Sequence, residues 1–283
     1  MQLLDGKALS EKIKNELKNE SDILRSQGVT PCLAVILVGE DPASQTYVNS
    51  KEKSCHTAGI ASIVKRLPAS TSEAELLSLI NTLNLDSTVD GILVQLPVPK
   101  HIDSTKIIEA IDPRKDVDGF HPFNVGRLMA GLDGFVPCTP YGVMKLLEEY
   151  NINVRGMNAC VIGASNIVGK PMMNLLLNAS ATVEICRSST RNLKEHTLKA
   201  DLIVVGVGKP NLLTEDMVSE GAIVVDVGIN RNAEGKIVGD VDFANVSKKC
   251  SYITPVPGGV GPMTIAMLLT NTVKSAKQRL ASL

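Results

Sequence analysis

The chain of 283 residues has no tryptophan, and only four tyrosines and four phenylalanines. An aliphatic core is therefore expected, and an aromatic beside a suspected site carries more information than usual. No C-x-x-C pair occurs. The six cysteines (Cys32, Cys55, Cys138, Cys160, Cys186, Cys250) are scattered, several within apolar runs. That pattern argues against structural zinc and for a reducing, cytoplasmic home in which cysteine acts as a small hydrophobe. No basic run reaches five residues and the net charge is −1, so a dedicated nucleic-acid binder is not expected. No apolar run approaches the ~18 residues that suggest a membrane span. The first residues lack a charged-then-apolar layout, so no secretory leader is expected, and residues 1–18 read instead as an amphipathic helix.

What is present is a rhythm. Short aliphatic runs alternate with amphipathic stretches, which predicts parallel strands covered by helices. Leu33–Val38 ends at Gly39. Asp41 then offers an N-cap with Pro42 at the first helical position, for a helix reaching about Ala58. A second strand is expected over Ile60–Leu67, and Ser72-Glu73-Ala74-Glu75 has the form of a capping box. A third strand is expected over Gly91–Leu96. A helix opens at Thr139-Pro140, and the alternation resumes: strand Ala159–Gly163, helix Val168–Asn178, then strands Thr182–Cys186, Asp201–Gly206 and Ala222–Gly228. A last helix over about Pro262–Ala281 has no strand after it and is expected to return to the first domain. The fold class expected is α/β with two parallel-sheet domains. Residues 1–137 with 265–283 form a discontinuous domain, and residues 138–264 form a Rossmann-type dinucleotide-binding domain.

The turn Gly163-Ala164-Ser165-Asn166-Ile167-Val168-Gly169 follows a strand and opens a helix, the setting of a phosphate-binding turn. It departs from G-x-G-x-x-G, with Ser165 at the second glycine position and Gly169 one residue late. The next strand ends in Arg187-Ser188-Ser189-Thr190, where an NAD site carries a carboxylate. A cation followed by hydroxyls suits a 2′-phosphate, so NADP is expected over NAD. The backbone of Asp226-Val227-Gly228-Ile229-Asn230, at the same carboxyl edge, is a candidate contact for the nicotinamide side.

In the first domain Tyr47 and Lys51, four apart on a helix, share a face. Gln95 stands in an aliphatic strand as either a satisfied core amide or a ligand reader. Residues 112–122 form a loop dense in carboxylates, in which Asp118, before Gly119, is the best candidate for a buried acceptor. No His–carboxylate spacing supports a metal site, and none is expected. In Thr254–Thr264 six of eleven residues are Pro or Gly, a rigid loop with bare backbone suited to a flat or anionic ligand.

These segments together resemble the bifunctional methylenetetrahydrofolate dehydrogenase/methenyltetrahydrofolate cyclohydrolase family over nearly the whole chain. The resemblance rests on Tyr47-Val48-x-x-Lys51, Gly91–Pro97, Lys115–Phe120, Pro137–Pro140, the Gly163–Pro171 turn, Asp226–Asn230 and the Pro-Gly loop. It departs at Arg187, where the family commonly has His. The resemblance implies that Tyr47 stacks on the folate and that Asp118 accepts from the pterin. It implies that Lys51 is a general acid/base tuned by Gln95, and that Pro257, Gly258 and Gly259 line a folate cleft between the domains. It also implies tetrahydrofolate derivatives as substrates and a homodimer, for which Thr182–Ile185 is the edge to inspect. One rival is a Lys/Asp-type two-domain NAD(P) dehydrogenase acting on a hydroxy or amino acid such as shikimate. It leaves the Tyr47–Lys51–Gln95 set and the Pro-Gly loop unexplained. A binding protein without catalysis would be expected to lack Lys51 or Asp118, and both are present.

Overall fold

The computed structural model describes residues 1–282. In chain order it begins β1 (Gln2–Leu3), α1 (Gly6–Ser26), β2 (Cys32–Val38), α2 (Pro42–Thr57) and β3 (Ala61–Leu67). It continues α3 (Glu73–Leu85), β4 (Gly91–Val94), α4 (Ser104–Ala110), α5 (Pro122–Met129) and α6 (Cys138–Glu149). Then come β5 (Asn158–Ile162), α7 (Gly169–Asn178), β6 (Thr182–Cys186), α8 (Leu193–Thr197), β7 (Leu202–Val205) and β8 (Ile223–Asp226). The last elements are β9 (Asn230–Arg231), β10 (Ile237–Val238), α9 (Phe243–Val246), β11 (Tyr252–Ile253) and α10 (Val260–Leu280). Among the described residues no helix is long and apolar enough to cross a membrane.

Two compact units result. One comprises Glu11–Val136 and the chain from Ile265 onward. Its sheet has the order β3-β2-β4, all parallel. Every residue of β2 is buried, which explains why that strand reads as a continuous apolar run. Ala34, Ile36 and Val38 on one face of β2 pack with Leu76, Ile80 and Ile107 from α3 and α4. The predicted caps form: Asp41 accepts from Ser44 N, and Ser72 and Glu75 make a reciprocal capping box. The C-terminal helix is sewn to the same unit by polar bonds. Asn271 Nδ2 donates to the Val117 and Val136 carbonyls, and the Arg279 guanidinium donates to buried Asp90.

The other unit comprises Met1–Ser10 and Pro137–Thr264. Its six-stranded sheet has the order β1-β11-β8-β7-β5-β6, with every pairing parallel. The strand order reverses between β5 and β7, the switch point at which ligands bind in doubly wound folds. A ribbon of β9 and β10, antiparallel, stands apart from that sheet.

Four expectations need correction. Residues 1–10 do not go with residues 11–137: Gln2 and Leu3 pair with Tyr252 and Ile253, and α1 starts only at Gly6. The third strand stops at Val94, so Gln95 follows the strand instead of lying within it. The Pro-Gly run is not all loop, because α10 already begins at Val260. Pro262 is tolerated there because first-turn amides have no intrahelical partner. The strands β1 and β11, and the ribbon, went unread because two residues carry no periodicity.

Candidate active sites of the two units

In the three-stranded unit α2 presents Tyr47, exposed, and Lys51, half-buried. Lys51 Nζ donates to Gln95 Oε1 at 2.8 Å, and Gln95 Nε2 donates to the Leu96 carbonyl at 2.7 Å. An ammonium has donors only, so it selects the amide oxygen, and the amide nitrogen must find a carbonyl. Gln95 is therefore locked in one orientation by both ends. Its own backbone N–H extends the β2 pairing to Ile36 O at 2.8 Å. Gln95 thus leaves the sheet just where α2 carries Lys51, at the carboxyl end of the strands.

Beside β4 runs the loop of residues 112–121. Ile92 N donates to Lys115 O at 2.8 Å, and Lys115 Nζ is spent on the Leu83 and Asp86 carbonyls. Asp118 and Phe120 line a small pocket with Leu93, Val94 and Leu96. The deeply buried carboxylate of this loop is Asp116, not Asp118: Asp116 is 2% exposed and Asp118 half-buried. Asp116 accepts from the backbone amides of Gly119, Phe120 and His121 and from Asn124 Nδ2. Burial pushes its carboxyl up to about 7, against the lowering effect of those bonds. Asp116 thus shapes the turn, while half-buried Asp118 lies at the wall of the small pocket.

In the six-stranded unit Gly163 closes β5 with φ +114°, and a Cβ there would stand 2.6 Å from the Gly206 carbonyl. The turn after β5 and the end of β7 therefore touch at the switch point, and only glycine fits. Gly169 explains the irregular spacing of the motif. A Cβ on it would overlap the Gly163 carbonyl, so Gly169 performs the close helix–strand packing one residue later than the usual pattern. Ser165 Oγ accepts from Val168 N at 3.1 Å and starts α7. Ala164 and the exposed Ser165, Asn166 and Ile167 leave the turn open. At the end of β6, next to β5, Arg187 and Ser188 are exposed. Arg187 N donates to Thr190 Oγ1 at 2.9 Å, while its guanidinium has no ion-pair partner among the described residues. Ile229 follows β8 with its side chain about half exposed.

Pro257, Gly258 and Gly259 belong to the six-stranded unit. Lys7 N donates to Gly258 O at 2.8 Å, and a Cβ on Gly6 would overlap the Gly259 carbonyl. The structure thus joins Lys51 to Gln95 and places Asp118 in a small pocket with Leu96, the residue after Gln95. It gathers Gly163–Ser165, Arg187, Ser188 and Ile229 at one sheet edge of the other unit. All six cysteines are buried thiols. Among the described residues no group of three or more His, Cys, Asp or Glu is placed to hold a metal ion.

The reading of the sequence gave no loop-holding role to Asp116, Asn124 or Asp240. Buried Asp226 lies at the end of β8 and accepts from the amides of Gly228, Asp240 and Val241. Burial pushes it up to about 6. The available signal was the pair of glycines, Gly228 two residues after Asp226 and Gly239 directly before Asp240.

A dinucleotide turn at a switch point, together with a separate α/β unit holding a Lys–Gln pair near a carboxylate, defines a two-domain NAD(P)-dependent enzyme. Comparison with known proteins narrows the class. Residues 4–118 match the model of the tetrahydrofolate dehydrogenase/cyclohydrolase catalytic domain, and residues 137–280 match that of its NAD(P)-binding domain. A protein named Bifunctional protein FolD from Nautilia profundicola is 64% identical over 277 residues, covering 98% of each chain. The crystal structure of the bifunctional FolD enzyme of Campylobacter jejuni superposes with a TM-score of 0.98 at 64% identity, covering 99% of each chain. That of the Trypanosoma brucei enzyme, complexed with NADP and inhibitor, gives 0.92 at 37% identity, covering 97% of this chain and 96% of that one. The chain belongs to the tetrahydrofolate dehydrogenase/cyclohydrolase family. The shikimate dehydrogenase of Aquifex aeolicus, at 13% identity and a TM-score of 0.52 over 87% of this chain and 96% of that one, shares the fold alone. The hydroxy- or amino-acid dehydrogenase reading is not favoured.

Proposed function

We propose that this chain oxidises 5,10-methylenetetrahydrofolate to the 5,10-methenyl form with NADP and hydrolyses that product to 10-formyltetrahydrofolate, within one-carbon metabolism. The observation that carries this is the Lys51–Gln95 bond in a chain whose other unit has a dinucleotide turn.

The residues present fit NADP. Gly163, Ala164 and Ser165 would hold the pyrophosphate at the start of α7, Arg187 and Ser188 the 2′-phosphate, and the backbone at Ile229 the nicotinamide side. When bound, the cofactor supplies the hydride acceptor. The substrate's flat pterin stacks on Tyr47 and donates its ring and amino N–H groups to Asp118. Pro257, Gly258 and Gly259 give the folate a rigid, bare backbone to lie against. Losing a hydride from the methylene carbon needs placement more than a proton carrier, so these contacts serve as orientation.

The hydrolytic step calls on Lys51. Water adds to the methenyl carbon, and neutral Lys51 takes its proton. The bond from that carbon to N5 then breaks as Lys51 returns its proton to N5, and the remaining hydroxyl proton leaves to solvent as the formyl C=O forms on N10. A cationic substrate disfavours the ammonium form of Lys51, while Gln95 Oε1 holds Nζ in place through both transfers. The chain works in the cytoplasm as a homodimer. In support of a dimer, β6 is an edge strand, with Thr182 and Glu184 exposed and Val183 and Ile185 half-buried. A monomer mass by light scattering at micromolar concentration would remove the dimer.

The test of function is two assays on purified protein: NADP reduction with methylenetetrahydrofolate, and loss of the methenyl absorbance without nucleotide. Activity in both is expected. Activity in neither, from folded protein, overturns the reading.

A further inference from the structure

Asp240 is completely buried and all its accepting positions are used. Oδ2 accepts from Val207 N at 2.6 Å and Gly208 N at 3.0 Å; Oδ1 accepts from Lys209 N at 2.8 Å and Asn230 Nδ2 at 2.8 Å. Asp226 is nearly as buried, and its oxygens accept from Gly228 N at 2.9 Å, Asp240 N at 3.0 Å and Val241 N at 2.9 Å. Of these seven donors six are backbone amides. Neither carboxylate has an ion-pair partner among the described residues, so the pair is held by fixed amide dipoles alone. Buried carboxylates without a cation are costly and require such saturation.

The amides belong to three segments. Residues 207–209 follow β7, Gly228 follows β8, and residues 240–241 follow the ribbon. Asn230, at the start of the ribbon, adds the seventh donor. The fit is close: a Cβ on Gly228 would overlap Asp240, and one on Gly239 would overlap Asp226. The clamped segments also present apolar side chains outward. Val207 is 43% and Ile229 49% exposed, on loops at the carboxyl edge of the sheet. Val207 reaches the Gly163 turn, where its Cγ1 lies 3.2 Å from an ideal Cβ on Gly163.

We propose that Asp226 and Asp240 are the positioning pair of the dinucleotide unit, fixing the loops after β7 and β8 against which the nicotinamide end of NADP is placed. This rests on the proposed role of the Ile229 backbone. A carboxylate is required because it alone accepts at all its positions. An amide at 240 turns an NH2 group toward two N–H donors, and the loops must separate. Neither residue touches the reacting atoms; both act through backbone they hold.

The test is Asp240→Asn, with the cyclohydrolase reaction as internal control, because Lys51, Gln95 and Asp118 lie in the other unit. For a lost charged acceptor, the expected result is NADPH affinity and KM for NADP weakened by about tenfold or more, with cyclohydrolase turnover within about twofold of wild type. A merely structural role would lower both activities in parallel, and that result overturns the proposal, as does unchanged NADPH affinity. If Asp240→Asn does not fold, Asn230→Ala, which removes one donor and keeps both carboxylates, should weaken NADPH binding by about threefold. No weakening there overturns the proposal equally. NADPH binding by wild type separates the two levels of inference. A protein that binds NADPH but oxidises no methylenetetrahydrofolate removes the substrate assignment, while the clamp is still tested by affinity. Absence of NADPH binding in wild type removes both.

Discussion

The two units solve the same problem, holding a small molecule at the carboxyl end of a parallel sheet, with different parts of the chain. The three-stranded unit offers side chains: Lys51 fixed by Gln95, Asp118 at a pocket wall, Tyr47 open on a helix. The six-stranded unit offers mainly backbone: the Gly163 turn, the loop after β7 that Asp240 holds through its amides, and the loop at Ile229. Each relies on buried carboxylates to hold its loops, Asp116 in one and Asp226 with Asp240 in the other. The difference follows from chemistry. Hydrolysis needs a proton carrier that changes state, which only a side chain provides. A dinucleotide needs shape and N–H donors, which backbone provides once it is immobilised.

The largest break in this contrast is expected at Lys51. Lys51→Ala should lower cyclohydrolase turnover by about 10²–10⁴-fold, the range for a lost general acid/base, with a smaller loss of dehydrogenase activity. Full hydrolytic activity in that variant would remove Lys51 from the mechanism. Arg187 is the exception on the backbone-dominated side. Arg187→Ala should weaken NADP binding by roughly 1.5–3 kcal/mol, read by titration, and leave NAD binding unaltered. Equal effects on both nucleotides would show that Arg187 does not read the 2′-phosphate. Gly169→Ala presses a methyl onto the Gly163 carbonyl. It should destabilise the dinucleotide unit by about 1–3 kcal/mol and weaken NADP binding, with cyclohydrolase turnover retained.

The smallest expected effect is a pH dependence. Asp116 is raised to about 7 in the folded chain, from an ordinary value of 3.8. The folded form therefore keeps a proton that the unfolded chain has released. Its contribution to stability is full below about pH 4 and lost as pH rises through about 7. Asp226, raised to about 6, acts with the same sign. Asp41 and Glu75, lowered by amide bonds at their caps, act oppositely and only below their ordinary range. Between pH 4.5 and 8 the stability of wild type relative to Asp116→Asn should fall by on the order of 2 kcal/mol, read by denaturant unfolding. A rise over that interval would contradict the burial argument.

The same contrast explains what was legible in the sequence. Buried parallel strands such as β2 and β7 are unbroken apolar runs, and the caps at Asp41 and Ser72 have local signatures, so those elements read clearly. Lys51 and Gln95 stood out as polar residues at marked positions. The backbone devices did not. Nothing local shows that Gly169 packs on Gly163, since that depends on how helix and strand meet. Asp116 and Asp118 alternate in a loop with no period, so the sequence does not tell which turns inward. Asp240 lies fourteen residues from Asp226, and only the folded sheet edge places them together.

The most direct measurement is NADP reduction by the purified protein with methylenetetrahydrofolate, run beside NAD. The account predicts fast reduction with NADP and little with NAD. Reduction with neither, from folded protein, would contradict the dehydrogenase assignment at its centre.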